Sequence, residues 1–333
     1  MDTITQGLLG AAAAQVLTQK RIGKRALVAG ALGGMAADLD VFIYSASDPM
    51  LGVTFHRHFT HSLLFIPVGA LIVALFLRVF RAYREDWGGV YWACFWGYAT
   101  HGLLDACTSY GTMLLWPFSS VRISWDCVSI VDPVFSAALV AGILWSQWKG
   151  RARAAVLALL FCLAYLGFGE IQNRRGEAAQ REIRSARGHE AVETRVMPTL
   201  ANLVVWRSVY EAEGRFWADT IRVPVGGGAT YAEGASVTVF RSEGLPPGFL
   251  ENPALKEDWE KFLWFSEGFV ALSERGDVVA DMRYSSEAGG FKPLWGIVIP
   301  SDLSARHVGW TYFRKNRNEA VRRLWRNLTG AGG

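Results

Sequence analysis

The chain has 333 residues, 51% of them hydrophobic, and a formal net charge of +4. A charge so small and dispersed excludes a nucleic-acid surface, and the length allows more than one domain. Apolar content is uneven: to about Gly169 the chain is mostly Leu, Ala, Val, Phe, Trp and Gly, and beyond it come charged residues, prolines and alternating patterns.

A bilayer core needs about 20 apolar residues in helical form. Six stretches meet or approach that length, at 3–18, 26–44, 62–80, 88–106, 130–148 and 153–169. The first is short and rich in Ala and Gly, and reads either as a span or as a helix packed inside the bundle. The opening Met-Asp-Thr-Ile-Thr-Gln lacks a basic stretch, so no cleavable signal peptide is expected. Lys20, Arg21, Lys24 and Arg25 follow the first stretch, Arg78, Arg81 and Arg84 the third, and Lys149, Arg151 and Arg153 the fifth. The other loops hold only Arg57 and Arg122. The positive-inside rule then puts the odd loops in the cytoplasm and the even loops outside. Arg174, Arg175, Arg181, Arg184 and Arg187, after the sixth stretch, run against this, but long domains translocate largely regardless of charge.

From 170 to 187 an Ala-, Glu-, Gln- and Arg-rich run predicts a helix extending the sixth stretch, with Gly188 as its stop. Leu203–Trp206, Phe216–Val223, Ser236–Phe240 and Val278–Tyr284 read as strands, Leu255–Phe265 as an amphipathic helix and Glu319–Leu328 as a short helix. The expected fold is mainly α: a multi-span helical membrane bundle over 1–170, a helical connector over 171–189, and a small soluble α+β domain over 190–333 with a mainly antiparallel sheet. That last domain carries no dense cluster of metal-type donors, and His189 and His307 read as isolated surface or packing residues. Of four cysteines, Cys94 and Cys162 lie in apolar stretches, and Cys107 and Cys127 read as unpaired or as a disulfide.

Ionisable residues beside hydrocarbon-facing segments are costly and signal function. Asp38, Asp40, His56, His58 and His61 offer the O and N donors that a zinc-type ion takes, and His101 and Asp105 share one helical face four residues apart. By the charge rule all fall at the outward ends of the second to fourth stretches. On a regular helix Asp38 and Asp40 would diverge by about 160°, so either the helix loosens there or one of them caps a helix or orients a ligand. His58 and His61 share a face if a helix starts near His58, with His56 reaching in from the loop.

Residues 105–135, read with Asp38-Leu-Asp40, His56-Arg57 and Thr60-His61-Ser62, resemble the YdjM/YbcI-type family of membrane-bound metal-dependent hydrolases. The tail resembles the longer YfhP-like members. The resemblance implies a helical membrane domain similar to zinc-dependent phospholipase C and P1-type nucleases, with Asp38, Asp40, His56, His61, His101 and Asp105 as the metal set and a divalent metal, zinc by expectation, as cofactor. It also implies Arg122 as a holder of substrate charge and Asp126 and Asp132 as supporting or substrate-facing residues. Two positions depart from the pattern: Ala37 stands where the family has Pro, and His58, expected as a bystander, where it has Gly. The expected function is hydrolysis of an amphiphilic or phosphorylated substrate at the outer face of the inner membrane, with Asp38 or Asp40 as general base. A metal-ion or proton transporter and a non-catalytic, metal-stabilised assembly or sensor protein are the other readings of the same residues.

Overall fold

The computed structural model describes residues 1–313, and its backbone divides into two compact units. The predicted helix over Glu319–Leu328 lies outside the described residues. The first unit comprises Met1–Ile43, Phe55–Ile171 and Leu200–Asn202. The second comprises Tyr44–Thr54, Gln172–Thr199 and the chain from Leu203 onward.

In the first unit α1 (Thr3–Ile22) opens behind Asp2, whose carboxylate accepts the Thr5 N–H at 3.0 Å. It packs on α2 (Arg25–Ala36) and α5 (Trp87–Ala106) through glycines: a Cβ at Gly10 would lie 2.4 Å from the Gly30 carbonyl oxygen, and one at Gly97 would lie 2.2 Å from that same atom. Only residues without a side chain let three backbones approach so closely. Their core joins α4 (Ile66–Leu77) through Ala70, Val73, Ala74 and Leu77, buried against Ala26, Ala29, Val90 and Cys94. A helix α6 (Pro133–Lys149) and the long α7 (Arg153–Arg187) complete this part, and Gly142 lets them close up where a Cβ would lie 2.4 Å from that of Ala158.

The six predicted stretches do not become six regular spans. The stretch 26–44 is a 12-residue helix that tightens at Ala37 into a 3-10 turn ending at Phe42. The stretch 62–80 holds a 12-residue α4, preceded by α3 (Pro49–Phe55) and two 3-10 turns. Twelve residues rise about 18 Å, well short of a hydrocarbon core of about 30 Å. Gly, Thr, His and Asp dilute the apolar character of α5, and Gly, Ala and Gln that of α1. Among the described residues α7 alone is long and apolar enough to cross a membrane unaided; the segments Pro49–His61 and Leu63–Leu77 qualify only together, bent by 61°.

The second unit takes up α7 from Gln172, and the helix continues through the Ala/Glu/Gln/Arg run to stop at Gly188, which has a φ of +70°. Two four-stranded antiparallel sheets follow instead of one. The first is a meander of β1 (Thr194–Pro198), β2 (Val205–Ala212), β3 (Arg215–Arg222) and β4 (Thr230–Thr238). Every residue of β2 is buried, and the core continues through Phe216, Ala218 and Phe269. The second sheet is β5 (Val270–Leu272), β6 (Val278–Asp281), β7 (Trp295–Val298) and β8 (Gly309–Tyr312), after α8 (Pro253–Ser266). Buried Arg207 on β2 gathers the carbonyls of Met282, Arg283, Glu287, Ala288 and Gly290, tying the segment after β6 to the first sheet.

The expectation that His307 stands alone is corrected here. Its Nδ1 lies 3.2 Å from Asp258 Oδ2 and 3.7 Å from Asp48 Oδ1. Burial pushes the Asp258 carboxyl above its ordinary value, while the Val308 N–H, at 2.9 Å, and His307 pull it back. The trio pins the loop before β8 onto α8. His189 is a packing residue, its ring 4.7 Å from that of Trp217.

Candidate metal centre

The break after α2 makes the site possible. A 3-10 turn advances about 120° per residue, so residues two apart diverge by about 120° and not by the 160° of an α-helix. Asp38 and Asp40 therefore reach neighbouring positions from one short turn. His61 ends the 3-10 turn Phe59–His61, and His101 and Asp105 come from the last turns of α5. The segment before His61 turns sharply at Arg57, which has a φ of +60°.

Four of the predicted residues converge: Asp38, His61, His101 and Asp105. The Nε2 atoms of His61 and His101 face each other at 3.0 Å. Asp105 Oδ2 lies 3.2 Å from the first and 3.6 Å from the second; Asp38 Oδ1 lies 3.7 Å and 3.3 Å away. His61, His101 and Asp105 are buried, and Asp38 is partly open.

Each imidazole is held from behind. His101 Nδ1 lies 2.5 Å from the Gly34 carbonyl, which fixes that nitrogen as the protonated one and leaves the Nε2 lone pair facing the centre. His61 Nδ1 lies 3.3 Å from Asp40 Oδ2 and 3.0 Å from Thr60 Oγ1. Backing of this kind sets ring orientation and raises ligand basicity at metal sites. Two Nε2 lone pairs face one space, and Asp105 Oδ2, paired by charge with the Arg57 Nε at 3.0 Å, accepts no well-aligned hydrogen bond. This donor set fits a divalent cation of zinc type.

The remaining predicted residues fall elsewhere. Asp40 stands behind His61, and its oxygens also take the Arg57 N–H at 2.8 Å and face His56 Nδ1 at 2.9 Å. His56 is accordingly held by Asp40, outside the group of four. The His58 ring sits among aromatics, 5.2 Å from Phe55 and 5.5 Å from Trp116. Arg122 donates to the Tyr110 and Gly111 carbonyls at 2.9 and 3.1 Å. Asp126 is buried at a φ of +50° and is not among the four. Asp132 caps α6, taking the Val134 and Phe135 N–H groups at 3.0 Å and the Tyr165 hydroxyl at 2.8 Å, so its oxygens are committed to structure. The four cysteines are free and buried.

Some contributors were not legible in the sequence. Arg57 reads there as a loop charge, yet it is buried, with Nε 3.0 Å from Asp105 Oδ2 and its guanidinium over the Tyr110 ring at 5.0 Å. The Arg122 guanidinium lies at the same distance from that ring. Gln6 Nε2 donates to Asp105 Oδ1 at 2.9 Å, the Met1 amino group contacts the same oxygen, and Thr3 donates to Asp38 at 2.6 Å. The i, i+3 spacing of Thr3 and Gln6 on one face of an otherwise small-residue helix is the signal that would have found them.

No curated protein and no solved structure matches the chain. The pattern of the YdjM inner membrane protein family matches residues 1–176, which carry the four converging donors, their backing groups and both stacked arginines. That match covers more than half of the chain, and with the converging donors inside it the protein belongs to the YdjM inner membrane protein family.

Proposed function

We propose that the protein is a membrane-bound, metal-dependent hydrolase acting on an amphiphilic or phosphorylated substrate. The supporting observation is the pair of facing Nε2 atoms at 3.0 Å with a carboxylate from each side, buried and backed by Asp40 and the Gly34 carbonyl. Asp38, His61, His101 and Asp105 are the residues that would hold the ion. A bound divalent cation supplies Lewis acidity and lowers the pKa of water toward neutrality. Asp38 is the partly open member, so it marks the open side, where it can accept a proton from an entering water. Asp40 is tied to His61, His56 and Arg57, which makes it an orienting group and not the base. Arg57 and Arg122, both set on Tyr110, give the wall positive charge suited to a phosphoryl group.

The experiment pairs metal analysis of detergent-purified protein with hydrolysis of bis(p-nitrophenyl) phosphate and p-nitrophenyl acetate. Bound zinc-type metal, phosphodiester turnover lost on chelation, and a rise in KM on Arg122→Ala that is larger for the phosphodiester are expected. Metal without turnover on either substrate would favour a metal-stabilised assembly protein.

The reading includes an outward-facing centre in the inner membrane. It rests on ten basic residues in the odd loops against two in the even loops. In intact cells an impermeant thiol reagent is expected to label Ser47→Cys and to spare Lys24→Cys. The reverse pattern inverts the orientation.

A further inference from the structure

The far end of α6 and the start of α7 have a character that the metal centre does not use. α6 begins beside that centre, where Ser136 Oγ lies 2.6 Å from Thr5 Oγ1, and runs 17 residues, about 25 Å, away from it. There α6 and α7 line a groove of about 680 Å³. Its walls are apolar, with exposed Trp145 and Leu157 among the lining side chains, and its mouth carries Lys149, Arg151 and Arg153. From 133 to 169 the chain contains no carboxylate. Among the described residues none of the three cations forms an ion pair; Lys149 lies only over the Trp148 ring, at 3.9 Å. A cluster of unpaired cations costs self-repulsion, which a bound anion relieves.

Two exposed tryptophans beside three cations at a helix turn are the composition of a membrane–water interface. At that depth an apolar groove meets acyl chains and its basic mouth meets headgroups. A neutral lipid would satisfy the groove and leave the cations unmatched, and free phosphate would do the opposite. Only an amphiphile with an anionic head matches both.

We propose that the α6–α7 turn is a binding site for an anionic phospholipid, its phosphate held by Lys149, Arg151 and Arg153 and an acyl chain lying along the groove past Trp145 and Leu157. The site is separate from the metal centre and would anchor the start of α7, among the described residues the one unbroken apolar helix long enough to span, at the bilayer surface.

The test uses purified full-length protein in detergent, titrated with phosphatidylglycerol, with phosphatidylcholine, or with inorganic phosphate alone. Bound lipid is counted by native mass spectrometry and the thermal midpoint is recorded. Phosphatidylglycerol is expected to raise the midpoint by about 3 °C or more, and the other two by less than about 1 °C. The triple variant Lys149→Ala, Arg151→Ala, Arg153→Ala should bind phosphatidylglycerol at least about tenfold more weakly. Ala141→Phe, at an exposed position lining the groove, leaves the charge unchanged and should weaken binding as well. All of these side chains are exposed, so the lipid-free midpoint should stay at the wild-type value. If it falls, the charge-conserving triple variant with Lys149→Arg, Arg151→Lys and Arg153→Lys must restore lipid binding. Equal shifts from phosphatidylcholine would reduce the groove to ordinary bilayer contact and overturn the proposal. So would an equal shift from phosphate alone, retained affinity in the triple alanine variant, or full affinity in Ala141→Phe.

Discussion

His61→Ala and His101→Ala are each expected to lower metal affinity by at least about 100-fold and to abolish any hydrolysis that depends on the metal. Each removes one of four converging donors, and no other imidazole is placed to replace it: His56 is held by Asp40 and His58 is packed among aromatics. Asp40→Ala should cost less, about 10- to 100-fold, because it removes the group behind His61 while all four donors stay. Asp105 needs two variants. Asp105→Ala leaves the buried Arg57 guanidinium without its carboxylate, a change worth about 3–5 kcal/mol of stability, so metal loss there would be confounded with unfolding. Asp105→Asn keeps the shape and lets affinity be read on folded protein. His58→Ala should stay within about twofold of wild type. Equal losses at His58 and His61, measured by metal content per folded protein, would put the wrong histidine in the centre.

What the sequence displays of this site is the donor chemistry, because Asp and His beside apolar runs stand out by residue type alone. It does not display which donors meet, since that depends on a backbone event of low sequence signal. The tightening from α-helix to 3-10 turn at Ala37 involves no Pro or Gly, and it decides that Asp38 faces His101 while Asp40 faces His61. Arg57 shows the same difficulty. A lone Arg in a short loop is indistinguishable from a topological charge until its positive φ turns it inward. Among the described residues fewer helices span unaided than there are apolar stretches, for a related reason: hydropathy averages over a window, whereas the regular helix gives way at a single residue, Ala37 after α2, and α4 begins only at Ile66. In the tail, β3 and α8 were legible because alternation and amphipathic spacing run through them. The short strands β5, β7 and β8, of three or four residues, are below what a period-2 pattern can resolve. His307 looked isolated because Asp48 and Asp258 are distant from it in sequence.

A single methyl group on α5 should disable the metal centre from a turn away. In Gly97→Ala the new Cβ would lie 2.2 Å from the Gly30 carbonyl oxygen and 2.9 Å from the Gly30 Cα, both backbone atoms that no rotamer change can move. The only relief is for α2 and α5 to separate, which forfeits contacts around Ala29, Ala93 and Cys94 and should cost at least about 3 kcal/mol, the upper end of overpacking. Gly30 and Gly34 are one turn apart on α2, as are Gly97 and His101 on α5. The 2.5 Å contact between the Gly34 carbonyl and His101 Nδ1 therefore stretches with the same movement. His101 then loses the group that fixes its ring, and metal affinity should fall by about 10-fold or more even in molecules that remain folded. Gly167→Ala is the matched control: no atom lies within 4 Å of its Cβ position, so the substitution should be neutral or stabilise α7 by up to about 1 kcal/mol. Thermal midpoints and metal titrations of the two variants in the same detergent separate the effects. A folded Gly97→Ala protein that binds metal as tightly as wild type would show that the α2–α5 contact does not hold His101 in place.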